Sequence, residues 1–331
     1  MIGEWLLGAE RASARFDSRT AFRVSAPHDD LTGGAEWQEI VAAPLLGALG
    51  ESRWHTAMEL RSKRVDGAWQ AAAWGTLVGT LQQPWCGIEP TGLTVAVRVG
   101  AVVDFDESRA VRCTVMLDVP DLAEQAGQRL VRRPLGDPAR WPLPSDDRAS
   151  ADVDDEQSAA TLAVVMAMQS ALHDSARTRS EMLAAPHLAY WHDDFVWAGP
   201  GGIGTTVGAA AFVDCHQLPF RASLPDRVGG GALPSSPAGG AAGHFVKFAD
   251  GRFAVTGGWP SVTATHGNDG WLGLPATGRR VTLRVFDFYE VVAGRIAMNW
   301  VFIDLVDFLR QIGQLPTLAA ATKVSTKGST P

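Results

Sequence analysis

The chain contains two copies of one sequence segment. Residues 85–127 align without gaps with residues 271–313, at an offset of 186 residues, and 13 of the 43 aligned positions are identical. Average composition gives roughly one identity in fifteen by chance. The copies share a Thr-Gly turn, which begins at Thr91 in "GIEPTGLT" and at Thr277 in "GLPATGRR". A repeat of this size predicts that one arrangement of helices and strands occurs twice in the fold.

Weaker similarities extend the repeat upstream and set the domain boundaries. "HDDLTGG" from His28 resembles "HDDFVWAGPGG" from His192, and "VDGAWQAAAWG" from Val65 resembles "ADGRFAVTGGW" from Ala249. The segment between the copies is rich in Pro, Asp and Arg, which is typical of an exposed linker. A Gly- and Pro-rich insertion from Gly229 predicts a mobile loop. We therefore predict a first domain over 1–128, a linker over 129–155, a second domain over 156–315 and a flexible tail over 316–331.

Composition and charge exclude several classes of protein. The 331 residues are 46% hydrophobic and 20% charged, with a formal net charge of −7, which is ordinary for a globular protein. The chain has no basic stripe, which argues against nucleic-acid binding. The three cysteines are far apart in apolar surroundings, which favours reduced thiols in a cytoplasmic protein. No window approaches the roughly 18 apolar residues of a membrane span, so we expect no membrane association.

Both copies end in the same order of predicted elements. Apolar segments with strand character, 95–103 and 281–292, each precede a short turn and a second strand. "DVPDLAEQAG" and "DLVDFLRQIG" then predict short helices that begin at Asp118 and Asp304 and end at a Gly. The spacing of apolar residues predicts a long helix over 157–183, whereas the first copy offers a short candidate from Trp5 to Arg15.

The second copy resembles the SnoaL-like polyketide cyclases of the nuclear transport factor 2-like superfamily. The likeness is carried by "YWHDDFVWAGPGG" from Tyr190, "FRASLPDR" from Phe220, "GLPATGRR" from Gly273, "GRIAMNWVFID" from Gly294 and "FLRQIG" from Phe308. The first copy matches more weakly, as a degenerate copy does. The resemblance implies an α+β fold of two tandem nuclear transport factor 2-like cones, each a curved antiparallel sheet packed on helices.

The resemblance also implies a pocket and an activity. Cyclases of this family close a polyketide ring by intramolecular aldol condensation without a metal or an organic cofactor, and an acidic residue at the end of the last strand is the acid/base. The matching residue here is Asp304. The strand pattern agrees, since period 2 places Met298, Trp300, Phe302 and Asp304 on one face. A carboxylate on an apolar face has a raised pKa, which favours removal of a carbon-bound proton.

Asp304 also has a simpler interpretation. It directly precedes a predicted helix and can be its N-cap, as Asp118 can in the first copy. His266, in "TATHGNDGW", is the second catalytic candidate, because an imidazole can polarise a carbonyl or move a proton. At the same offset its counterpart is Thr80, so the first copy lacks this partner.

Seven further residues are candidates for binding a hydrophobic ligand. Twelve Trp against two Tyr is an unusual ratio, and large flat apolar side chains fill cores or line pockets. The seven are Trp197, His216, Trp259, Trp271, Met298, Trp300 and Phe302. His216 can equally be a structural histidine, and Trp271, which repeats as Trp85, a packing residue. We predict no metal site, because the adjacent residues of each "HDD" segment point apart and no third ligand joins them.

Two functions remain open from the sequence. The first is a cofactor-independent acid/base enzyme of the cyclase, isomerase or hydrolase kind that acts on a hydrophobic, polyketide-like or cyclic small molecule. The second is a non-catalytic small-molecule-binding or scaffolding protein of the same fold. Single-domain relatives pair through their sheets, so we expect the two copies to form a pseudo-dimer within one chain. Whole chains can associate further as a homodimer.

Overall fold

Two β-sheets, each with its own helices, organise the chain. The computed structural model describes residues 2–7, 16–64, 66–145, 155–172, 176–229 and 242–315. The predicted tail over 316–331 and most of the Gly- and Pro-rich insertion lie outside the described residues. The α+β class predicted from the sequence is confirmed.

The first half forms a six-stranded sheet in the order β2-β1-β6-β5-β4-β3. Its strands are β1 Ala21–Val24, β2 Leu31–Thr32, β3 Arg53–Lys63, β4 Trp69–Thr80, β5 Thr94–Asp106 and β6 Arg109–Leu117. Its helices are α1 Ile2–Leu7, α2 Gly34–Trp37, α3 Ala43–Leu49 and α4 Val119–Gln125. A π-helical turn, Gln38–Ala42, joins α2 to α3.

The second half repeats this order as β8-β7-β13-β12-β11-β10, with a further strand, β9, beside β11. Its strands are β7 Trp191–Ala198, β8 Thr206–Val207, β9 Val228–Gly229, β10 Val246–Asp250, β11 Phe253–Thr265, β12 Arg280–Val292 and β13 Arg295–Ile303. Its helices are α5 Asp155–Ala171, α6 Arg179–Leu183, α7 Gly208–Phe212, α8 Leu218–Ser223 and α9 Leu305–Ile312. A π-helical turn, Val213–Gln217, joins α7 to α8, and 3-10 turns cover Pro186–Tyr190 and Trp271–Gly273.

The two sheets share their register as well as their topology. Ala101 on β5 pairs with Val115 on β6, and Asp287 on β12 pairs with Val301 on β13, so the offset of 186 residues holds in the strand ladder itself. The expectation of wholly antiparallel sheets needs correction, because β1 runs parallel to β6 and β7 runs parallel to β13. A parallel pair requires a long crossover, which the intervening helices and strands provide.

The upstream part of the predicted repeat is correct at one place and wrong at another. The turns at Asp66 and Asp250 both connect antiparallel strands, β3 to β4 and β10 to β11. The two "HDD" segments are not equivalent, since His28 follows β1 whereas His192 lies inside β7. A short polar triplet has no apolar alternation to fix its position on a sheet, which is why it misaligned.

Helix boundaries follow the capping residues. Asp118 and Asp304 are the N-caps of α4 and α9, as the sequence predicted, and each accepts a hydrogen bond from the backbone N–H three residues later. The long helix predicted over 157–183 is instead two helices: α5 ends at Ala171, and α6 follows a capping box of Thr178 and Glu181. In the first half α1 ends at residue 7, and the remainder of that predicted helix lies outside the described residues.

The outer faces of the two sheets pack against each other. Trp74 of β4 and Trp300 of β13 meet there, with ring centroids 5.4 Å apart. We call this contact the inter-sheet layer; its buried residues are Ala57, Met58, Leu60, Ala72, Trp74, Val102, Met116, Ala198, Phe248, Phe253, Val255, Phe286, Phe288, Trp300 and Phe302. The halves therefore pair within one chain through their sheets, as expected. Because both faces of each sheet are buried, the strands are apolar on both sides.

The described part of the predicted linker, 129–145, is exposed at about half of its residues and packs against the protein at others. The guanidinium of Arg98 lies 4.0 Å from the ring centroid of Trp141, and the ring centroid of Phe302 lies 5.8 Å from that of Trp141. Trp300 Nε1 also donates to the carbonyl of Pro142 at 2.6 Å. A Pro-rich composition argues against regular elements but does not decide burial, so these contacts could not be predicted from the sequence.

Candidate active site

Asp304 is buried where the two halves meet. Its carboxylate accepts hydrogen bonds from Asp307 N and Ala26 N, each at 3.0 Å, and pairs with Arg284 at 3.0 Å. Burial raises the pKa of Asp304 to about 6, although the neighbouring Arg284 charge opposes the rise. Asp304 does not line the cavity described below. The structure therefore shows the capping contact of Asp304, and the acid/base role expected from the resemblance stays a prediction.

Asp118 makes the equivalent contacts from the first half: it caps a helix of the first half and accepts a hydrogen bond from a loop of the second half. It accepts from Asp121 N at 3.2 Å and from Gly201 N at 3.0 Å, and it pairs with Arg98 at 2.8 Å. Each carboxylate thus caps the last helix of its own half and binds the loop that follows the first strand of the other half. We call these two sites the reciprocal caps. They explain why Asp and Arg are identical in both copies.

His266 holds the "GLPATGRR" turn and does not line the cavity. Its backbone N and O form three hydrogen bonds to residues 277–279, and its ring meets Phe308 edge-on at 5.4 Å. Leu81 forms the same three backbone hydrogen bonds in the first half. The counterpart of His266 is therefore Leu81 and not Thr80. The catalytic role expected for His266 finds no cavity contact to support it.

Three aromatic and apolar candidates lie on the face opposite to the one expected. Met298, Trp300 and Phe302 contact the inter-sheet layer, whereas the residues of β13 that face the cavity are Asn299, Val301 and Ile303. The alternation along β13 was predicted correctly, but its inner face was not. Both faces of the strand are buried, so hydrophobicity alone could not tell them apart.

Two further candidates also pack elsewhere. Trp259 lies under the guanidinium of Arg284, 4.5 Å from it, at the edge of the inter-sheet layer. Trp271 packs edge-on against Phe308 at 4.9 Å, in the core of the second half. Neither lines the cavity, so the packing role considered for Trp271 is the one that the structure supports.

The second half encloses a cavity of about 230 Å³ between the inner face of its sheet, α5 and the π-helical turn before α8. Trp197 and His216, which the sequence named as ligand-binding candidates, both line it. About half of the lining residues are aliphatic or aromatic. The polar and charged side chains on the wall include Gln169, Arg177, Gln217, Arg221, Arg227, His244, Ser261, Asp287, Tyr289 and Asn299. We call this space the second-half cavity.

Asp287 brings a carboxyl group to the cavity wall from the middle of β12. Asn299 Nδ2 on the adjacent strand donates to Asp287 Oδ1 at 3.3 Å, and His244 Nε2 lies 3.8 Å from Oδ2. Burial raises the pKa of Asp287 to about 7. A carboxyl group with a pKa near neutrality can both take and return a proton at neutral pH. Asp287 was not among the site residues predicted from the sequence, although an Asp inside the largely apolar segment "LRVFDFYEVV" is unusual enough to indicate a functional residue.

Gln169 links the other polar side chains near Asp287. We call the set of Gln169, His244, Thr256, Asp287, Tyr289 and Asn299 the polar group. From α5 the Nε2 atom of Gln169 lies 3.1 Å from His244 Nδ1, 2.7 Å from Thr256 Oγ1 and 3.1 Å from Tyr289 Oη. Burial lowers the pKa of His244 to about 4, so its imidazole is neutral at neutral pH. When Nδ1 accepts from the amide, the N–H of the neutral ring is on Nε2. That N–H faces Asp287, where it can stabilise the ionised carboxylate.

The first half has apolar residues at the equivalent positions. The register of the two ladders matches Asp287 with Ala101, Tyr289 with Val103, Asn299 with Cys113 and Thr256 with Ala73. All four first-half residues are buried in its core. The polar group thus belongs to the second half, in agreement with the expectation that the first copy is degenerate.

The described residues contain no group of three or more His, Cys, Asp or Glu side chains that could hold a metal ion. Among the same residues, no helix combines the length and apolar character needed to cross a membrane.

The thiols of Cys86 and Cys113 are free and buried, and burial raises the pKa of both. The third thiol, Cys215, is free and half-buried.

The strands that carry Asp287 and Asn299 also carry the likeness to a known family. Residues 260–312 match the family model described as SnoaL-like polyketide cyclase. The match covers about a third of the second half. The matched segment contains β12, β13 and α9, so Asp287, Tyr289 and Asn299 lie inside it. Gln169, His216 and His244 lie outside it.

Solved structures similar to the chain each cover about half of it. TsrD from Streptomyces laurentii is 17% identical with a TM-score of 0.34, over 50% of this chain and 100% of that one. A nuclear transport factor 2-like protein from Burkholderia xenovorans LB400 is 17% identical with a TM-score of 0.32, over 47% and 97%. A protein of the same description and of unknown function from Burkholderia pseudomallei K96243 is 18% identical with a TM-score of 0.32, over 46% and 97%. No curated protein matches the sequence.

Proposed function

We propose that the second half is a cofactor-independent acid/base enzyme that removes a proton from a carbon next to a carbonyl group. Asp287 is the acid/base. The observation that carries the proposal is its buried carboxyl group, with a pKa of about 7, on the wall of the second-half cavity. Perturbed carboxyl groups inside cavities are frequent at catalytic sites.

Such a proton transfer is the first step of an intramolecular aldol cyclisation. Asp287 takes the proton, and the electron pair of the broken C–H bond forms an enolate. The enolate carbon attacks a second carbonyl carbon of the same molecule, which forms the new C–C bond. Asp287 then returns its proton to the alkoxide oxygen. The N–H groups of Asn299 and His244 face Asp287 while it is protonated and deprotonated in turn.

The size and lining of the cavity limit the substrate. At about 230 Å³ the cavity is smaller than most sites for drug-sized ligands, which suits a molecule of one or two fused rings. The aliphatic and aromatic part of the wall favours an apolar ring system, and the polar part, which includes Arg177, Arg221 and Arg227, favours a molecule that also carries oxygen atoms. A small polyketide-like or cyclic ketone meets both conditions.

The proposal is tested with β-tetralone, a bicyclic ketone with acidic protons next to its carbonyl. The full-length protein is incubated with β-tetralone in D₂O, and proton NMR follows exchange of those protons above the rate in buffer. Asp287→Asn should lower the exchange rate by at least about 100-fold, because general base catalysis contributes on the order of 100- to 10,000-fold.

Glu290→Gln is the matched control for this experiment. Glu290 is a buried carboxylate on the same strand, but it faces away from the cavity and pairs with Arg252 at 3.1 Å. The Glu290→Gln variant should exchange the protons of β-tetralone at a rate within about threefold of the wild-type rate. If β-tetralone binds but Asp287→Asn exchanges its protons as fast as the wild type, the catalytic proposal is wrong. The alternative of a small-molecule-binding protein would then stand.

A further inference from the structure

His216 is packed against aromatic rings. It lies in the π-helical turn Val213–Gln217, and its imidazole stacks on Trp197 with centroids 4.0 Å apart and an angle of 19°. The ring of Phe220 is also close to parallel with the imidazole, at 5.4 Å and 22°. An imidazole forms hydrogen bonds at its edge, through its two nitrogens. The side chain lines the second-half cavity.

The edge of this ring carries an atom that the protein leaves without a partner. His216 is buried, and its Nδ1 has no hydrogen-bond partner among the described residues. Leaving a buried polar atom unpaired costs about 1–3 kcal/mol, and most such atoms in proteins are paired. A bound molecule that supplies the missing partner would recover this cost.

The first half shows that packing does not require a histidine here. The π-helical turns of the two halves are equivalent. Val41 is the fourth residue of its turn and lies three residues before Pro44, and His216 is the fourth residue of its turn and lies three residues before Pro219. Val41 is fully buried in the first core. An apolar residue therefore satisfies the same fold, and the imidazole adds a polar group that the packing does not need.

The imidazole is uncharged at neutral pH. Burial, together with the nearby Arg221 charge, lowers the pKa of His216 to about 3. A neutral imidazole can donate one hydrogen bond without giving up its proton. The ring is connected to the polar group through neighbouring residues. His216 stacks on Trp197, and Trp197 pairs in register with Asn299 on the next strand. Asn299 in turn donates a hydrogen bond to Asp287.

We propose that His216 is a ligand-contacting residue whose imidazole edge hydrogen-bonds to the carbonyl oxygen of the molecule in the second-half cavity. This inference rests on the proposed function for its ligand class. His216 orients and polarises the carbonyl, while Asp287 moves the proton. The two residues then have separate effects, one on recognition of the carbonyl and one on the proton transfer.

The test compares β-tetralone with tetralin, the same two rings without the carbonyl, as ligands of the full-length protein. Two variants are matched: His216→Phe keeps a stacked ring but no polar edge, and His216→Asn keeps a polar atom near the position of Nδ1. Quenching of tryptophan fluorescence measures both affinities. His216→Phe should weaken β-tetralone binding about tenfold, the value of one hydrogen bond, and leave tetralin binding within about twofold. His216→Asn should keep most of the preference for β-tetralone.

A spectroscopic signature separates this role from a structural one. The infrared carbonyl stretch of carbon-13-labelled β-tetralone should lie at lower frequency on the wild type and on Asp287→Asn than on His216→Phe. If His216→Phe binds β-tetralone as tightly as the wild type and leaves the stretch unchanged, the inference is overturned. An Asp287→Asn variant that still exchanges protons would refute the proposed function alone, since the carbonyl shift does not depend on exchange.

Discussion

Burial changes the protonation of Asp287 more than any neighbouring charge does. Its ordinary pKa of 3.8 is raised to about 7 because burial disfavours the charged form. The titratable groups that face it are His244, with a pKa lowered to about 4, and Tyr289, with a pKa raised well above its ordinary value. Both are neutral at neutral pH. The residue therefore carries a buried charge above pH 7 that its titratable neighbours do not compensate.

This environment predicts a stability that depends on pH. Between about pH 4 and pH 7 the folded state keeps a proton on Asp287 that the unfolded state has released, so the contribution of Asp287 to stability falls as pH rises. Asp287→Asn removes the charge and should be more stable than the wild type at pH 8 by about 2–4 kcal/mol. The difference should shrink toward zero near pH 4. Urea unfolding at both values measures it, and a variant less stable than the wild type at pH 8 contradicts the prediction.

The reciprocal caps act at the scale of whole elements. Each cap joins a helix N-terminus, an Arg on a strand of the same half and a loop of the other half through one carboxylate. The two π-helical turns are a second shared device, each followed by a proline, Pro44 or Pro219, which supplies no N–H to an α-helical ladder. These elements are equal in both halves, whereas the polar group of the cavity is not. Shared residues therefore report architecture, and unshared ones report the site.

Removing a reciprocal cap should affect stability more than chemistry. Asp304→Ala and Asp118→Ala should each lower the free energy of unfolding by about 2–4 kcal/mol, because each leaves two backbone N–H groups without their acceptor and removes one of the two carboxylates that pair with the Arg. Urea unfolding followed by tryptophan fluorescence measures the loss. The β-tetralone exchange rate per folded molecule should change by less than about threefold. A variant of normal stability that had lost exchange would return the acid/base role to Asp304.

At the scale of the molecule, the inter-sheet layer packs the two halves together, and we expect them to unfold as one cooperative unit. The layer buries the outer face of each sheet, and Trp74 lies in it fully buried on the side of the first half. The first half thereby covers a surface that the second half would otherwise expose. We infer that it acts as a structural partner, since its own core holds apolar residues where the polar group would be.

Cooperative unfolding of the two halves can be tested by changing Trp74, which belongs to the first half and does not line the second-half cavity. Trp74→Ala should destabilise the protein by about 3–5 kcal/mol, the usual cost of removing a buried Trp. β-Tetralone exchange should be lost at a lower urea concentration than in the wild type, together with the fluorescence change. Trp69→Ala, at a position 42% exposed on the same strand, is the control and should shift neither midpoint. An unchanged exchange midpoint in Trp74→Ala would mean that the halves unfold independently.

Much of the architecture could be predicted from local sequence patterns. The gap-free repeat fixed the register of β5 with β6 and of β12 with β13, because alternation along a strand constrains pairing to one frame. The N-caps of α4 and α9 were predicted because capping depends on residues close together in the chain. Three of the five segments that carried the resemblance to SnoaL-like cyclases, those from Gly273, Gly294 and Phe308, overlap the residues that the family model matches, and the other two lie outside them.

The site itself was decided by the tertiary structure. Both faces of β13 are apolar, so the choice between Trp300 and Asn299 as the cavity-facing residue depended on where the other half packs. The polar group joins residues far apart in the chain: Gln169 and Tyr289 are 120 positions apart, and Gln169 and His244 are 75. No local periodicity relates such residues. The sequence thus determined the two cones and their strand ladders, whereas burial, which needs both halves in place, decided which carboxylate could be the acid/base.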